Sequence, residues 1–583
     1  MVGTSPPPSS LSVPGSTPLR KDSAAASATA LGWPGLRSPP VLEPVMPPVS
    51  DLDPTLRSAL HDLSRSYHPP GDPHPWLTPW RLEDLGDPGF RAAHRVRFNV
   101  MSGAMANGIA SVELVEAMAR GGMVGIFGAA GLGPERVAAA LDRLQTSLGD
   151  RLPWGVNLIH SPNEPALEEA VAALLIARGV RLVEASAYLD LTPAIVRYRL
   201  AGLEPDPADP QRGRPRHRVI AKVSRVEVAA KFLGPPPPRL VAKLLDEGAI
   251  SPLQARLAPT IPMADDLTAE ADSGGHTDNQ PLVALLPALL ELRDRESKRH
   301  GWTIPPRVGA AGGIATPAAA AAALAMGADY LVTGSVNQAC VESGTSPIVR
   351  RMLAEARQGD LAMAPAADMF EMGVKVQVLK RGTLFPLRAA KLYEWYRNHE
   401  SLDHLSQSDR DQLERTILRQ SIEAVWEQTQ SFFQRRDPRQ LERAARDPKH
   451  KMALVFRWYL GLSSHWANSG QPDRVVDYQI WCGPAMAAFN AWVEGSHLES
   501  PENRRVAEVA LQILHGAAVL LRSATLQGRG RRVPGDWVRP RPLPPEELLR
   551  RLRSPHPSAT SPPRTAPPED PRSVPLAPSL GVR

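Results

Sequence analysis

Apolar residues follow two rhythms along this chain. Short, nearly continuous apolar runs, each bounded by Gly, Pro or polar clusters, fall at residues 96–101, 123–127, 155–159, 182–185, 219–223, 267–271, 307–311 and 330–333, as expected of strands buried on both faces. Between them lie amphipathic or Ala/Leu-rich stretches of helical length, among them 112–120, 134–148, 165–178, 282–298 and 317–326. Strand alternating with helix implies parallel strands joined by right-handed crossovers. Eight such units favour a closed α/β fold, a (β/α)8 TIM barrel, over an open sheet. The fifth unit is long, and its stretch 227–262, containing Pro235-Pro236-Pro237-Pro238, predicts an inserted helical hairpin or lid. Beyond about Pro365 the rhythm becomes helix upon helix, at 382–396, 409–435, 438–446, 452–462 and 504–521. It predicts an all-α C-terminal domain with no further strand.

Composition then marks what need not fold. Residues 1–50 are rich in Pro, Ser and Ala, and 526–583 are dominated by Pro and Arg without apolar periodicity, so both are expected to be disordered tails. Between them the chain divides into a lead-in segment, 51–92, a barrel, 93–362, and a helical domain, 363–525. The net charge of +6 owes much to arginines in or beside the C-terminal tail; the folded part is closer to neutral, which argues against nucleic acid and leaves room for steering of an acidic partner protein. Cys340 and Cys482 stand far apart without metal-like spacing, so neither a disulfide framework nor a zinc site is expected. No secretory pattern opens the chain and no stretch looks long and apolar enough for a membrane helix; the expectation is a soluble, cytoplasmic protein with no membrane partner.

In barrels of this kind chemistry sits at the C-terminal ends of the strands. Two consecutive ends, Val308-Gly309-Ala310-Ala311-Gly312-Gly313-Ile314 and Tyr330-Leu331-Val332-Thr333-Gly334-Ser335, run into small residues and then a helix. Backbone N–H groups and a helix N-terminus can there face an anion with no side chain in between, which predicts a phosphate cradle. The other strand ends contribute Gly103-Ala104-Met105-Ala106, Asn157, Glu184, Lys222 and Gly274-Gly275-His276. Small residues with one amide, one ammonium and one imidazole suit a flat aromatic ring lying on backbone. Asp265, Asp266, Glu270, Asp272, His276 and Asp278 crowd one strand and its loop, but strand alternation sends Asp265 to the face opposite Asp266 and Glu270, so no metal site is expected.

This strand-end series resembles the nitronate monooxygenase (2-nitropropane dioxygenase)-like FMN barrels. Gly103-Ala104-Met105-Ala106-Asn107-Gly108-Ile109, the runs 264–279 and 333–340, and farther along 364–375, 447–452, 457–464 and 480–485 resemble one branch of them, the PfaD-type trans-acting enoyl reductases of polyunsaturated fatty acid and polyketide synthases. The likeness covers about 98–521. The resemblance implies FMN with its phosphate on Gly312, Gly313, Gly334 and Ser335 and its ring near Ala104, Met105, Ala106, Asn157 and Lys222, with Gly274 and Gly275 beside it. It further implies NADPH or NADH as reductant, an enoyl thioester on an acyl carrier protein as substrate and partner, and His276 as the catalytic residue over the flavin.

The residues themselves leave alternatives open. Lys222 serves equally as an ion-pair partner, Asn157 as the cap of a helix entering at Ser161, and His276 as a brace for its own loop through Asp278 or Asp272. The aromatic residues of the helical domain, Trp395, Trp426, Trp458, Trp466, Trp481 and Trp492 with Tyr393, Tyr396, Tyr459 and Tyr478, fit a core, or else a channel or dock for a carrier protein. The functional rivals are a nitronate-type flavin oxygenase, a non-catalytic component of a synthase and a phosphosugar-type barrel.

Overall fold

A computed structural model describes residues 54–553 except 73, 163, 534 and 536; the expected tail 1–50 and the end of the chain from 554 lie outside the described residues. Eight parallel strands close into a ring: β1 (Val100–Ser102), β2 (Val124–Phe127), β3 (Trp154–Ile159), β4 (Leu182–Ser186), β5 (Arg218–Val223), β6 (Asp266–Glu270), β7 (Arg307–Ala311) and β8 (Leu331–Thr333). Closure comes from β1 pairing with β8, Met101 opposite Val332. All eight fall within a residue or two of the apolar runs, except that β1 begins four residues later than its run. The long fifth unit carries helices Val226–Leu233, Pro238–Asp246 and Pro252–Leu257 between β5 and β6.

The lead-in segment does more than lead in. Helix Pro88–His94, whose cap Asp87 accepts from the Phe90 N–H at 2.9 Å, plugs the N-terminal end of the barrel. Phe90 is fully buried and stacks on Tyr330 with ring centroids 4.2 Å apart, joining Met101, Val124, Ile126, Leu182, Ile220 and Val332 in the barrel core. At the same end the Asp266 carboxylate meets His94 Nε2 at 2.7 Å and accepts from Arg307 Nε at 2.5 Å. Burial pushes its pKa up, but these two basic groups more than reverse that and hold it below the usual carboxylate range. This end of the barrel is filled, so a ligand is left with the opposite one.

After β8 the expectation of helices alone is corrected. Leu361–Pro365 and Lys375–Leu379 pair antiparallel, and Lys375–Leu379 also pairs with the two-residue strand Gly275–His276. The Leu379 N–H donates to the Ile480 carbonyl at 2.9 Å, and Val378 bridges to Trp481. Around this sheet lie helices Phe385–Asn398, Gln407–Gln412 continuing as a π-turn Leu413–Leu418, Ile422–Arg436, Arg439–Arg446, Pro448–Ser469, Pro484–Val493 and Val506–Gly528. Their hub is the fully buried Asp477, which accepts from Tyr459 Oη at 2.9 Å and pairs with Arg388, Arg419 and Arg474. Barrel and helices belong to one compact unit.

Two further expectations change. Val506–Gly528 is long and apolar enough to cross a membrane, with a mean hydropathy of 1.4, yet 72% of that window is buried inside the fold. It packs on Pro317–Ala325, and the missing side chain of Gly516 makes the approach possible: a Cβ there would lie 2.5 Å from Pro317. The stretch expected to be unstructured from 526 carries a helix, Pro545–Arg553, whose Leu548 is buried and whose Arg551 donates to the His61 carbonyl. Trp537, only 3% exposed, anchors the approach to it.

Candidate active site

Small residues and a buried charge network share the open end of the barrel. On β5 the Lys222 ammonium lies 3.1 Å from Glu270 Oε1 on β6, and the Glu184 carboxylate on β4 lies within electrostatic reach. Burial would lower the Lys222 pKa; the two carboxylates raise it well above its ordinary value, so the ammonium is permanent. Glu184 is fully buried, and burial raises its pKa against the pull of Lys222. One of its oxygens accepts from the Ala104 N–H at 2.9 Å, and the other, Oε1, has no hydrogen-bond partner among the described residues. A buried carboxylate thus fixes the loop Gly103-Ala104-Met105-Ala106 that follows β1, where residues 104–106 stay half-exposed.

Asn157 does not cap the helix after β3. It is 3% exposed, and its Nδ2 donates to the Glu184 carbonyl at 3.0 Å and to Ser186 Oγ at 2.8 Å, bracing β4 against β3. Lys222 takes the ion-pair arrangement that its residue type allowed, while keeping its place in the mouth.

The glycines separate into two kinds. At Gly313 and at Gly334 a Cβ would meet nothing within 4 Å, so both turns face open space. Gly313 has φ +77°, which only glycine adopts readily, and Gly334 with Ser335 starts the turn Ser335–Gln338. Gly312 serves close packing instead: its Cβ would lie 2.5 Å from the Ala271 backbone. Gly274 is likewise pressed on the backbone of Cys482 and Gly483 at 2.9 Å, and Gly275, at φ +84°, faces Trp481. These two let the helical region close over the loop after β6. An open, side-chain-free surface at the ends of β7 and β8, beside a mouth carrying one permanent ammonium, fits a phosphorylated planar cofactor such as FMN.

His276 stands at the rim with its side chain 44% exposed. Neither Asp278 nor Asp272 holds it: Asp278 is engaged by Arg225 and Ser224, and Asp272 accepts from Asn279 and Gln377. Its partner is Asp368, whose Oδ1 lies 3.0 Å from His276 Nε2. Burial pulls the imidazole pKa down, but the Asp368 carboxylate more than restores it, and His276 stands above its ordinary value. Asp368, correspondingly, is held low by the imidazole in spite of the partial desolvation of its carboxyl.

The crowded acids of β6 each have a separate partner: Asp265 pairs with Arg199, Asp266 with His94 and Arg307, Glu270 with Lys222. Cys340 and Cys482 are buried, and burial pushes both thiols up, Cys482 to about 12, which disarms them as nucleophiles. The aromatic residues of the helical region are core, Trp395, Trp466, Tyr459 and Tyr478 being buried and the others packed against them. The sequence alone gave no role in the site to three residues: Glu184, Glu270 and Asp368. A Glu inside an apolar strand run is itself a signal of paired burial; Asp368, 92 positions from His276, carried no such signal.

Comparison with known proteins agrees with this fold. The family described as nitronate monooxygenase matches residues 90–418, and the inserted helical domain of [acyl-carrier-protein] S-malonyltransferase matches 399–478. The solved enoyl reductase domain of MlnA, from the macrolactin biosynthesis cluster of Bacillus amyloliquefaciens, is 39% identical with a TM-score of 0.72, covering 76% of this chain and 99% of that one. A component of the polyunsaturated fatty acid synthase of Thraustochytrium sp. is 48% identical over 458 residues, 77% of this chain and 30% of that protein. Polyketide biosynthesis protein PksE of Bacillus subtilis is 45% identical over 441 residues, 75% of this chain and 57% of that protein. The chain therefore spans between about a third and three fifths of these two relatives' lengths.

Proposed function

Because the chain belongs to the nitronate monooxygenase family, we propose that its barrel is an FMN-dependent, NADPH-using enoyl reductase. In this reading it acts in trans on enoyl thioesters carried by an acyl carrier protein of a polyketide or polyunsaturated fatty acid synthase. The observation that carries the reading is the pair of open glycine turns, at Gly313 and Gly334, on adjoining strand ends in the same mouth as the Lys222 ammonium. The similarity to the MlnA enoyl reductase domain supports the reaction class, and the match to the helical domain of a carrier-protein acyltransferase supports the partner.

The residues divide the work as follows. The backbone of Gly312 and Gly313 and of Gly334 and Ser335 would hold the monophosphate. Ala104, Met105 and Ala106 form a low floor for the ring, kept in place by the Glu184 grip on the Ala104 N–H. Lys222, kept protonated by Glu270 and Glu184, would offer positive charge to a ring bound in the mouth. FMN supplies the hydride chemistry between the nicotinamide and the β-carbon of the enoyl group. The α-carbon then needs a proton, and His276 at the rim provides or steers it, its protonated form sustained by Asp368.

The test is the mass of the small molecule released on denaturing the purified protein, together with NADPH oxidation with and without a crotonyl thioester. FMN and thioester-dependent oxidation are expected. A colourless protein refutes the reading, and oxygen consumption driven by an alkyl nitronate without NADPH replaces it with nitronate chemistry.

A further inference from the structure

We propose that the basic face formed by helices Ile422–Arg436 and Arg439–Arg446 is the docking surface for an acidic carrier protein that delivers its thioester arm to the barrel mouth. The enoyl reductase reading supplies the reason for such a visitor; the location rests on observations of its own.

Residues 432–446 contain five arginines, Arg435, Arg436, Arg439, Arg443 and Arg446, against two acids, Asp437 and Glu442. All five arginines are exposed, whereas Asp437 is buried. Arg439 pairs with Asp437 at 2.8 Å and Arg443 with Asp447 at 3.7 Å, so the excess of one sign on the outer surface rests on Arg435 and Arg446, both exposed, against Glu442. Phe432 stands 46% exposed among them, with the Arg436 guanidinium 5.5 Å from its ring centroid. An exposed aromatic residue with an arginine over its ring is the composition of an interface anchor, since arginine and aromatic residues are frequent in binding hot spots. A solvated helix face ordinarily mixes its charges.

The position of the face singles it out further. Arg436 donates to both oxygens of Glu164, at 2.5 and 2.8 Å. Glu164 is the N-cap residue of the helix that follows β3, at the open end of the barrel. Farther along, Arg457 on helix Pro448–Ser469 donates to Glu371 at 3.3 Å, three residues beyond the Asp368 that holds His276. The segment 436–457 thus starts on the barrel rim and ends on the loop behind His276. A carrier seated on its arginines stands beside the opening through which its arm must reach. Opposite charge across such a rim acts mainly on encounter rate and salt dependence.

The experiment uses the full-length holoprotein and a purified, strongly acidic apo-acyl carrier protein. In fluorescence anisotropy the triple variant R439E/R443E/R446E should bind it at least about tenfold more weakly than wild type and with a flatter salt dependence, while R439K/R443K/R446K binds like wild type. Turnover of a carrier-free crotonyl-N-acetylcysteamine should persist in the Glu variant while KM for the carrier-bound crotonyl thioester rises. Unchanged affinity and salt slope in the Glu variant, with an unchanged melting curve, overturn the docking surface and leave the enoyl reductase reading intact. Charge-dependent carrier binding by a protein that reduces neither thioester supports the surface and sinks the reading. Displacement of the carrier by equimolar short duplex DNA assigns the face to nucleic acid and overturns the proposal.

Discussion

Replacing Asp368 by Asn removes one charge from the His276 pair while retaining an oxygen that can accept a hydrogen bond at the same place. The effect on His276 follows from the geometry. Nε2 and Oδ1 are 3.0 Å apart, with side chains 44% and 58% exposed. Opposite charges about 4 Å apart attract by about 1 to 4 kcal/mol between bulk water and a protein surface, and solvent screening at this exposure places the pair at about 1 kcal/mol. Losing that attraction lowers the His276 pKa in D368N. Because the folded pKa is raised above its ordinary 6.5, the pair stabilises the protein below that pH, and its contribution fades as pH rises through the folded value. Asp368 has the opposite sign: held low, it contributes above its ordinary 3.8 and is lost as the solution becomes more acid. If protonated His276 serves the α-carbon, turnover falls as pH rises through its pKa, and in D368N that alkaline limb moves to lower pH. The assay is the pH profile of kcat for thioester-dependent NADPH oxidation, with FMN content measured in parallel. A limb that stays put, or a uniform loss at every pH, refutes the proton role of the dyad.

The other substitutions probe the remaining parts of the site and fold. His276→Ala should lower turnover by about 100-fold or more, the usual worth of a general acid, with FMN content near that of wild type; equal loss of both, by absorbance and rate, makes His276 structural. Gly334→Ala should yield a folded protein with lowered flavin content: a Cβ at this position meets no other residue within 4 Å, while φ −132°, ψ −83° disfavours a β-branched side chain; full flavin absorbance with an unchanged melting curve contradicts the cradle. Phe90→Ala empties a fully buried site under Tyr330 and should cost about 3–5 kcal/mol, read as a lower urea midpoint; a loss below about 1 kcal/mol shows that the plug is not packed.

The barrel was readable because each of its strands is an apolar run cut off by Gly, Pro or a polar cluster, and the open turns at Gly313 and Gly334 were readable because Gly312-Gly313 and Gly334-Ser335 interrupt such runs in consecutive units. The small antiparallel sheet was not, since a two-residue strand at Gly275–His276 has no period and Lys375–Leu379 is a single short alternation inside loops. The plug escaped notice because Pro88–His94 is only seven residues long, too short for a hydrophobic stripe to declare which surface it fills. The helix Pro545–Arg553 sits in composition that reads as a tail, and only its contact with His61, far back in the chain, reveals that it folds. The partners of Lys222 and His276 are matters of tertiary closure: residue types allowed either an ion pair or a cofactor contact, and spacing alone does not choose among carboxylates on neighbouring strands.

The plug of Phe90, His94 and Arg307 makes the barrel a vessel with a single door. In the proposed reaction hydride donor and hydride acceptor would both come by that door, and each would vacate the chamber before the other enters. Steady-state kinetics of that kind trace parallel lines in double-reciprocal form, and an excess of either visitor slows the turnover by obstructing the other.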